Sequence, residues 1–128
     1  MRLVSPLNRV LGLGSAKTGA EHWWAQRLTA VALIPLGLWF AMALAVQDEL
    51  NYEAVVALIQ APFNSVMLIL ALFALSYHSH LGVQMVIEDY VHAPAVKVFS
   101  LVAAFFAHVA VAVAGIFAVL KVAFGAAA

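Results

Sequence analysis

Residues 78–90 read HSHLGVQMVIEDY and place two histidines, two carboxylates and a tyrosine at the end of one of the most apolar runs in the chain. Imidazole ligates metals and is a common axial ligand of haem iron. A tyrosine hydroxyl beside a carboxylate, as in Asp89–Tyr90, can donate to a ligand carbonyl and relay protons. On a helix that advances about 100° per residue, His78, Gly82, Met85 and Asp89 fall along one face. His78 and Asp89 are then about three turns, or about 16 Å, apart along the axis. Gly82, one turn from His78, leaves room for something flat and bulky. His80 is rotated about 200° from His78 and cannot share its ligand.

The elements that must carry these groups are helices in a membrane. The chain has 128 residues, 66% hydrophobic and only 9% charged, where soluble domains carry about 25% charge. Net charge is zero, so there is no bulk electrostatic case for a nucleic-acid partner. The absence of cysteine excludes disulfides, thiolate chemistry and any iron–sulfur cluster ligated by this chain alone. Residues 1–20 carry basic groups but no apolar stretch of useful length, so they read as neither a cleaved signal peptide nor a transit peptide. The expectation is a chain that starts at Met1, is inserted by its own helices and resides in a bacterial inner membrane.

Charge-free windows predict three spans at about 26–46, 63–87 and 97–121, with a kink at Pro35. Arg2, Arg9, Lys17 and Arg27 precede the first span, whereas the first loop has Asp48, Glu49 and Glu53 and no Lys or Arg. Lys97 lies in the second loop and Lys121 at the tail. Excess positive charge stays in the cytoplasm. The N-terminus and second loop are therefore expected there, and the first loop and C-terminus in the periplasm. No linker divides the sequence, so the fold class is an all-α membrane protein of one domain, residues 1–128. Three helices enclose little interior of their own, and partner helices are expected in the lipid bilayer.

An unsatisfied polar group in hydrocarbon costs several kcal/mol, which makes polar and ionisable residues inside spans functional candidates. His78, His80, Gln84 and His108 meet that criterion. For His78, axial ligation of a haem and hydrogen bonding to a neighbouring helix both fit. A second haem ligand could be His108, mid-way along the third span, or a histidine of a partner subunit. His80 and His108 otherwise suit helix packing, and Gln84 suits helix–helix hydrogen bonding. Tyr90 has the place of an interfacial tyrosine. Asp89, beside Glu88, sits unfavourably at the negative end of a helix dipole, which hints at a task.

The segment GSAKTGAEHWWAQRLTA, residues 14–30, packs His22, Trp23, Trp24, Gln26 and Arg27 at the start of the first span. An aromatic belt with a snorkelling arginine explains it. His22 and Arg27 also suit an anion, because arginine matches carboxylates bidentately and haem carries two propionates. Thr29 reads as ordinary helix packing.

The pattern His78-x3-Gly82-x6-Asp89-Tyr90, on the second of three spans, resembles that of the hydrophobic membrane anchor subunits of succinate dehydrogenase (complex II), the bacterial type most of all. The basic N-terminus, the positions Gly19, His22, Arg27 and Thr29, and the LNYE stretch from Leu50 to Glu53 fit as well. The resemblance implies that His78 is an axial ligand of haem b, with the other ligand supplied by a sister cytochrome b anchor subunit. It implies that Tyr90 hydrogen-bonds a ubiquinone carbonyl, that Asp89 supports the quinone site and its protons, and that Arg27 lies near the haem propionates and the quinone. The family's histidine near His22 falls in register on Glu21, and His22 is carried over to the propionate region only by proximity. By the same resemblance, succinate is oxidised on FAD in a flavoprotein subunit, and electrons reach ubiquinone through the clusters of an iron–sulfur subunit. This chain tethers both and has no succinate-oxidising site of its own. An anchor of a quinol:fumarate reductase or another b-type cytochrome shares the architecture. A non-redox three-helix scaffold is the reading from a different class. Three spans without an internal repeat offer little to a transporter.

Overall fold

Two of the long helices start on a proline, and the chain before each shows why. In the computed structural model, which describes residues 16–125, Pro62 and Pro94 are each the first residue of a helix. Proline loses no hydrogen bond at that position and its φ is already helical. Ala61 and Ala93, the residues before, are extended with ψ of 121° and 118°, as the clash with the proline ring requires. The chain order is α1 (Ala16–Ala45), α2 (Tyr52–Gln60), α3 (Pro62–Tyr90) and α4 (Pro94–Ala123), with no strand among the described residues.

Segments Ala20–Ala45, Pro62–Tyr90 and Pro94–Ala123 are long and apolar enough to cross a membrane. They overlap the three expected spans, and each starts earlier than expected. Helix α1 begins ten residues before position 26. Charge marks the edge of the apolar window, not the end of the helix, and the Ala, Lys and Glu residues of that segment are good helix formers. The helix also continues without interruption through Pro35, the position at which the sequence predicts a kink.

The first loop is not all loop. Its second half is α2, started by Asn51, whose side-chain oxygen accepts from the Ala54 N–H at 2.9 Å. This satisfies one of the orphan donors at a helix start. At the other end of α2 the buried Ser65 hydroxyl donates to the Ile59 carbonyl, which pins α2 against the start of α3.

Helix α3 is the centre: α1 and α4 pack along it, and α2 touches α3 and α4. The α3–α4 crossing is close at Gly115, where a Cβ would lie 3.2 Å from a Leu72 methyl. Interior is scarce. Among the described residues only Ser65, Ala74, Leu81 and Val119 are buried. Large side chains such as Phe40, Phe73, Phe106 and Phe117 stand exposed all along the helices. In water such apolar surface would drive aggregation; a bilayer accommodates it.

Candidate functional site

The α1–α3 seam is set by two contacts. The His78 Nδ1 lies 2.9 Å from the Thr29 hydroxyl. One turn further along α3, a Cβ on Gly82 would lie 3.7 Å from Gln26 Nε2. Four residues forward on α3 thus match three back on α1, the register of an antiparallel pair. Gly82, expected to leave space for a flat group, lets Gln26 of α1 lie against α3. The Thr29 hydroxyl is also 2.8 Å from the Ala25 carbonyl and 3.0 Å from the Gln26 carbonyl. His22, Gln26 and Thr29 form one stripe on α1 by their spacing. Both His22 Nε2 and Gln26 Oε1 are buried without a hydrogen-bond partner among the described residues.

The opposite side of α3 meets α4, and this interface holds His80 and His108. His108 Nδ1 lies 2.7 Å from the Ala104 carbonyl, which can only accept, so this nitrogen carries the proton. His108 Nε2 then accepts from the Ser79 hydroxyl at 3.1 Å. With both nitrogens engaged, His108 acts as helix packing, and it faces Ser79 while His78 faces α1. His80 stacks edge-on to Phe105 at 5.6 Å and lies 5.5 Å from the His108 ring. His80, Tyr77, Gln84 and Phe105 line a cleft of about 290 Å³ between α3 and α4. Among the described residues no three His, Asp or Glu groups gather to hold a metal ion by themselves.

Asp89 and Tyr90 are the last two residues of α3 and both are exposed, Tyr90 at 77%. Their end of the helix is held from α4. The Lys97 ammonium donates to the Glu88 carbonyl at 2.7 Å, and Gln84 Nε2 donates to the Glu88 carboxylate at 2.7 Å. A cation at a helix C-terminus meets carbonyls that have no partner within the helix.

Arg27 is exposed, with its guanidinium 5.3 Å from the centre of the Trp23 ring, one turn earlier on α1. This is a cation–π contact. Trp23 in turn meets Trp24 edge-on at 5.1 Å. From the seam register, Arg27 lies within about 3 Å of the level of His78 along the helix axis, whereas Tyr90 is about 18 Å away. The structure therefore divides the expected site residues into two levels. His78 and Arg27 stand at one, with His22 on the stripe between; Asp89 and Tyr90 stand together at the end of α3.

Two contributors were not foreseen. Thr29, read as packing, is the only hydrogen-bond partner of His78 among the described residues. Lys97, read only for topology, ties the end of α3 that carries Asp89 and Tyr90. The antiparallel pairing that joins Thr29 to His78 has no local sequence signal.

The site suits one cofactor well. An axial imidazole needs one nitrogen held and the other without a competing partner. His78 meets both conditions among the described residues.

The family model described as the succinate dehydrogenase/fumarate reductase transmembrane subunit matches residues 1–117. The chain belongs to that family. Among members of the succinate dehydrogenase/fumarate reductase transmembrane subunit family, the chain is similar to the succinate dehydrogenase hydrophobic membrane anchor subunit of Paracoccus denitrificans, 37% identical over 92 residues, covering 70% of each chain. The corresponding subunit of Rickettsia bellii is 36% identical over 78 residues. That match covers 61% of this chain and 62% of the Rickettsia protein. The succinate dehydrogenase membrane anchor subunit of Reclinomonas americana is 30% identical over 88 residues, 66% of this chain and 73% of its own. With its three apolar helices and bacterial relatives, this family member is a multi-pass protein of the inner membrane.

Proposed function

We propose that this chain is the membrane anchor of a succinate:ubiquinone oxidoreductase, supplying one ligand to haem b and part of the ubiquinone site. The observation that carries the reading is His78. Its Nδ1 is held by Thr29 and its Nε2 has no hydrogen-bond partner among the described residues, in the helix that ends on Asp89 and Tyr90.

Haem b, when bound, supplies a one-electron redox centre within the membrane. His78 would hold it through Nε2, and a sister cytochrome b anchor subunit would supply the second ligand. Arg27 stands at the level of His78, where its fork suits a propionate. The guanidinium lies over the Trp23 ring in a cation–π contact. At the end of α3, the Tyr90 hydroxyl donates to a ubiquinone carbonyl, and the neighbouring Asp89 carboxylate accepts and passes protons between that site and water. Lys97 holds the helix end so that the two stay together. The start of α1 and the end of α3 lie on the same side in the antiparallel pair, and the basic N-terminus assigns that side to the cytoplasm. There the flavoprotein with FAD and the iron–sulfur subunit are tethered. Succinate is oxidised in the flavoprotein, and electrons reach the quinone through the iron–sulfur clusters.

A reduced-minus-oxidised visible spectrum of the complex that purifies with this chain in mild detergent tests the reading. Succinate should produce a b-type band. A complex without that band returns His78 to helix packing. The family description also covers fumarate reductase. Comparing rates with ubiquinone and menaquinone separates that reading, and the three relatives named as succinate dehydrogenase subunits favour the succinate dehydrogenase reading.

A further inference from the structure

We infer that Thr29 is the positioning residue of His78. Its hydroxyl holds the imidazole as the Nδ1–H tautomer and thereby leaves Nε2 as the ligating nitrogen. The inference rests on the reading of His78 as a haem ligand and adds the residue on α1 that prepares it.

The number of protons available decides the tautomer. The Thr29 oxygen has three close neighbours: the Ala25 carbonyl at 2.8 Å, the Gln26 carbonyl at 3.0 Å and His78 Nδ1 at 2.9 Å. A hydroxyl has one proton, and a carbonyl can only accept. If the hydroxyl donated to Nδ1, its lone pairs would face two carbonyl oxygens at hydrogen-bond distance, and nothing would hold them there. If it donates to a carbonyl of α1, its lone pairs face Nδ1, and Nδ1 must carry the proton. Only the second arrangement points the hydroxyl proton at the α1 carbonyls and the Nδ1 proton at the hydroxyl oxygen. Inside a bilayer no water is at hand to rescue the first, and an unmet buried polar group costs about 1–3 kcal/mol.

His108 shows that this is not the default for a histidine here. It uses the carbonyl of Ala104, four residues back on its own helix. His78 instead reaches across to α1, so its ring orientation depends on how α1 and α3 sit. The chain from carbonyl to hydroxyl to imidazole also raises the basicity of the free nitrogen. A more basic ligand favours oxidised iron and lowers the midpoint potential.

Thr29→Val keeps the shape and removes the hydroxyl, whereas Thr29→Ser keeps the hydroxyl. Each variant complex is purified whole in mild detergent, and its b-type band is titrated with redox mediators. The expected result is a midpoint shifted upward in Thr29→Val, or loss of the band there, with Thr29→Ser close to the unaltered complex. Coincident midpoints for Thr29→Val and the unaltered complex would overturn the inference, as would an equal shift in Thr29→Ser. Should the valine variant fail to assemble, Thr29→Ala also lacks the hydroxyl and carries the same expectation and the same overturning result. Absence of a haem band in the unaltered complex is a separate failure: it removes the haem reading itself, and this inference with it.

Discussion

The Lys97 ammonium donates to the Glu88 backbone carbonyl at 2.7 Å, joining the first turn of α4 to the last turn of α3. The bond spans a connection of only Val91 to Ala93 and fixes the helix end from which Asp89 and Tyr90 project. It is exposed, so its contribution is modest, about 0.5–1 kcal/mol. Lys97→Met should therefore leave the complex assembled and lower the ubiquinone reductase rate by about two- to fivefold. Lys97→Arg should restore most of it. Succinate oxidation with a soluble artificial acceptor is the control, and a matching loss there would place the effect outside the end of α3.

Tyr90 gives the more direct test of that end. Removing one hydroxyl that donates to a bound ligand costs about 1–2 kcal/mol, about a 5- to 30-fold loss. Tyr90→Phe should reduce quinone reduction by that factor and leave succinate oxidation with the soluble acceptor unchanged. The exposure of Tyr90 means that the variant loses no packing within the chain. A fall in both activities together would count against a quinone role.

His78 and His108 make a matched pair of controls. Both are half-buried histidines in apolar helices, but His108 has both nitrogens engaged within the chain while His78 has one. His78→Ala should abolish or shift the b-type band. His108→Ala should leave the band in place and lower thermal stability, since the Ser79 hydroxyl loses its partner across the α3–α4 interface. The loss is about 1 kcal/mol, because serine can turn back to a carbonyl of its own helix. A spectrum altered by His108→Ala and untouched by His78→Ala would reverse the assignment.

What could be read from the sequence follows from the range of each interaction. The three long helices were legible because hydropathy over about 20 residues is a local sum. Their ends were less so. Charge-free windows stop at Arg27, whereas α1 continues back to Ala16 because Lys and Glu are good helix formers. Helix α2 escapes a reading by charge despite its Asn51 cap, since the acidic residues make 47–62 look like one loop. Within the site, the face shared by His78, Gly82 and Asp89 follows from helical periodicity alone. The partner of His78 does not. Thr29 is 49 residues away, and only the packed register of α1 on α3 brings it there. The same register puts Arg27 at the level of His78 and away from Tyr90, a grouping that no spacing in the sequence expresses.

The α3–α4 interface offers a final test, independent of any cofactor. A Cβ on Gly115 would approach the two Leu72 methyls to 3.2 and 3.3 Å. Helix association in a bilayer relies on such close backbone approach, since lipid tails are as apolar as leucine. Gly115→Ala has two opposing effects. It gains up to about 1 kcal/mol of helix propensity, and it crowds methyl groups at the flexible end of a side chain that can shift by a few tenths of an ångström. The net change in stability should be within about 0.5 kcal/mol. Gly115→Leu cannot be absorbed this way. It should separate α3 from α4 and cost about 1–3 kcal/mol, the usual penalty for overpacking. Because Ser79 meets His108 across this same interface, the leucine variant should also lose that bond, and adding His108→Ala to it should cost little more. Thermal dissociation of the detergent-solubilised complex, followed for the single and double variants, checks both points. Full additivity of the two losses would show that the Gly115 crossing and the Ser79–His108 bond hold α3 to α4 independently.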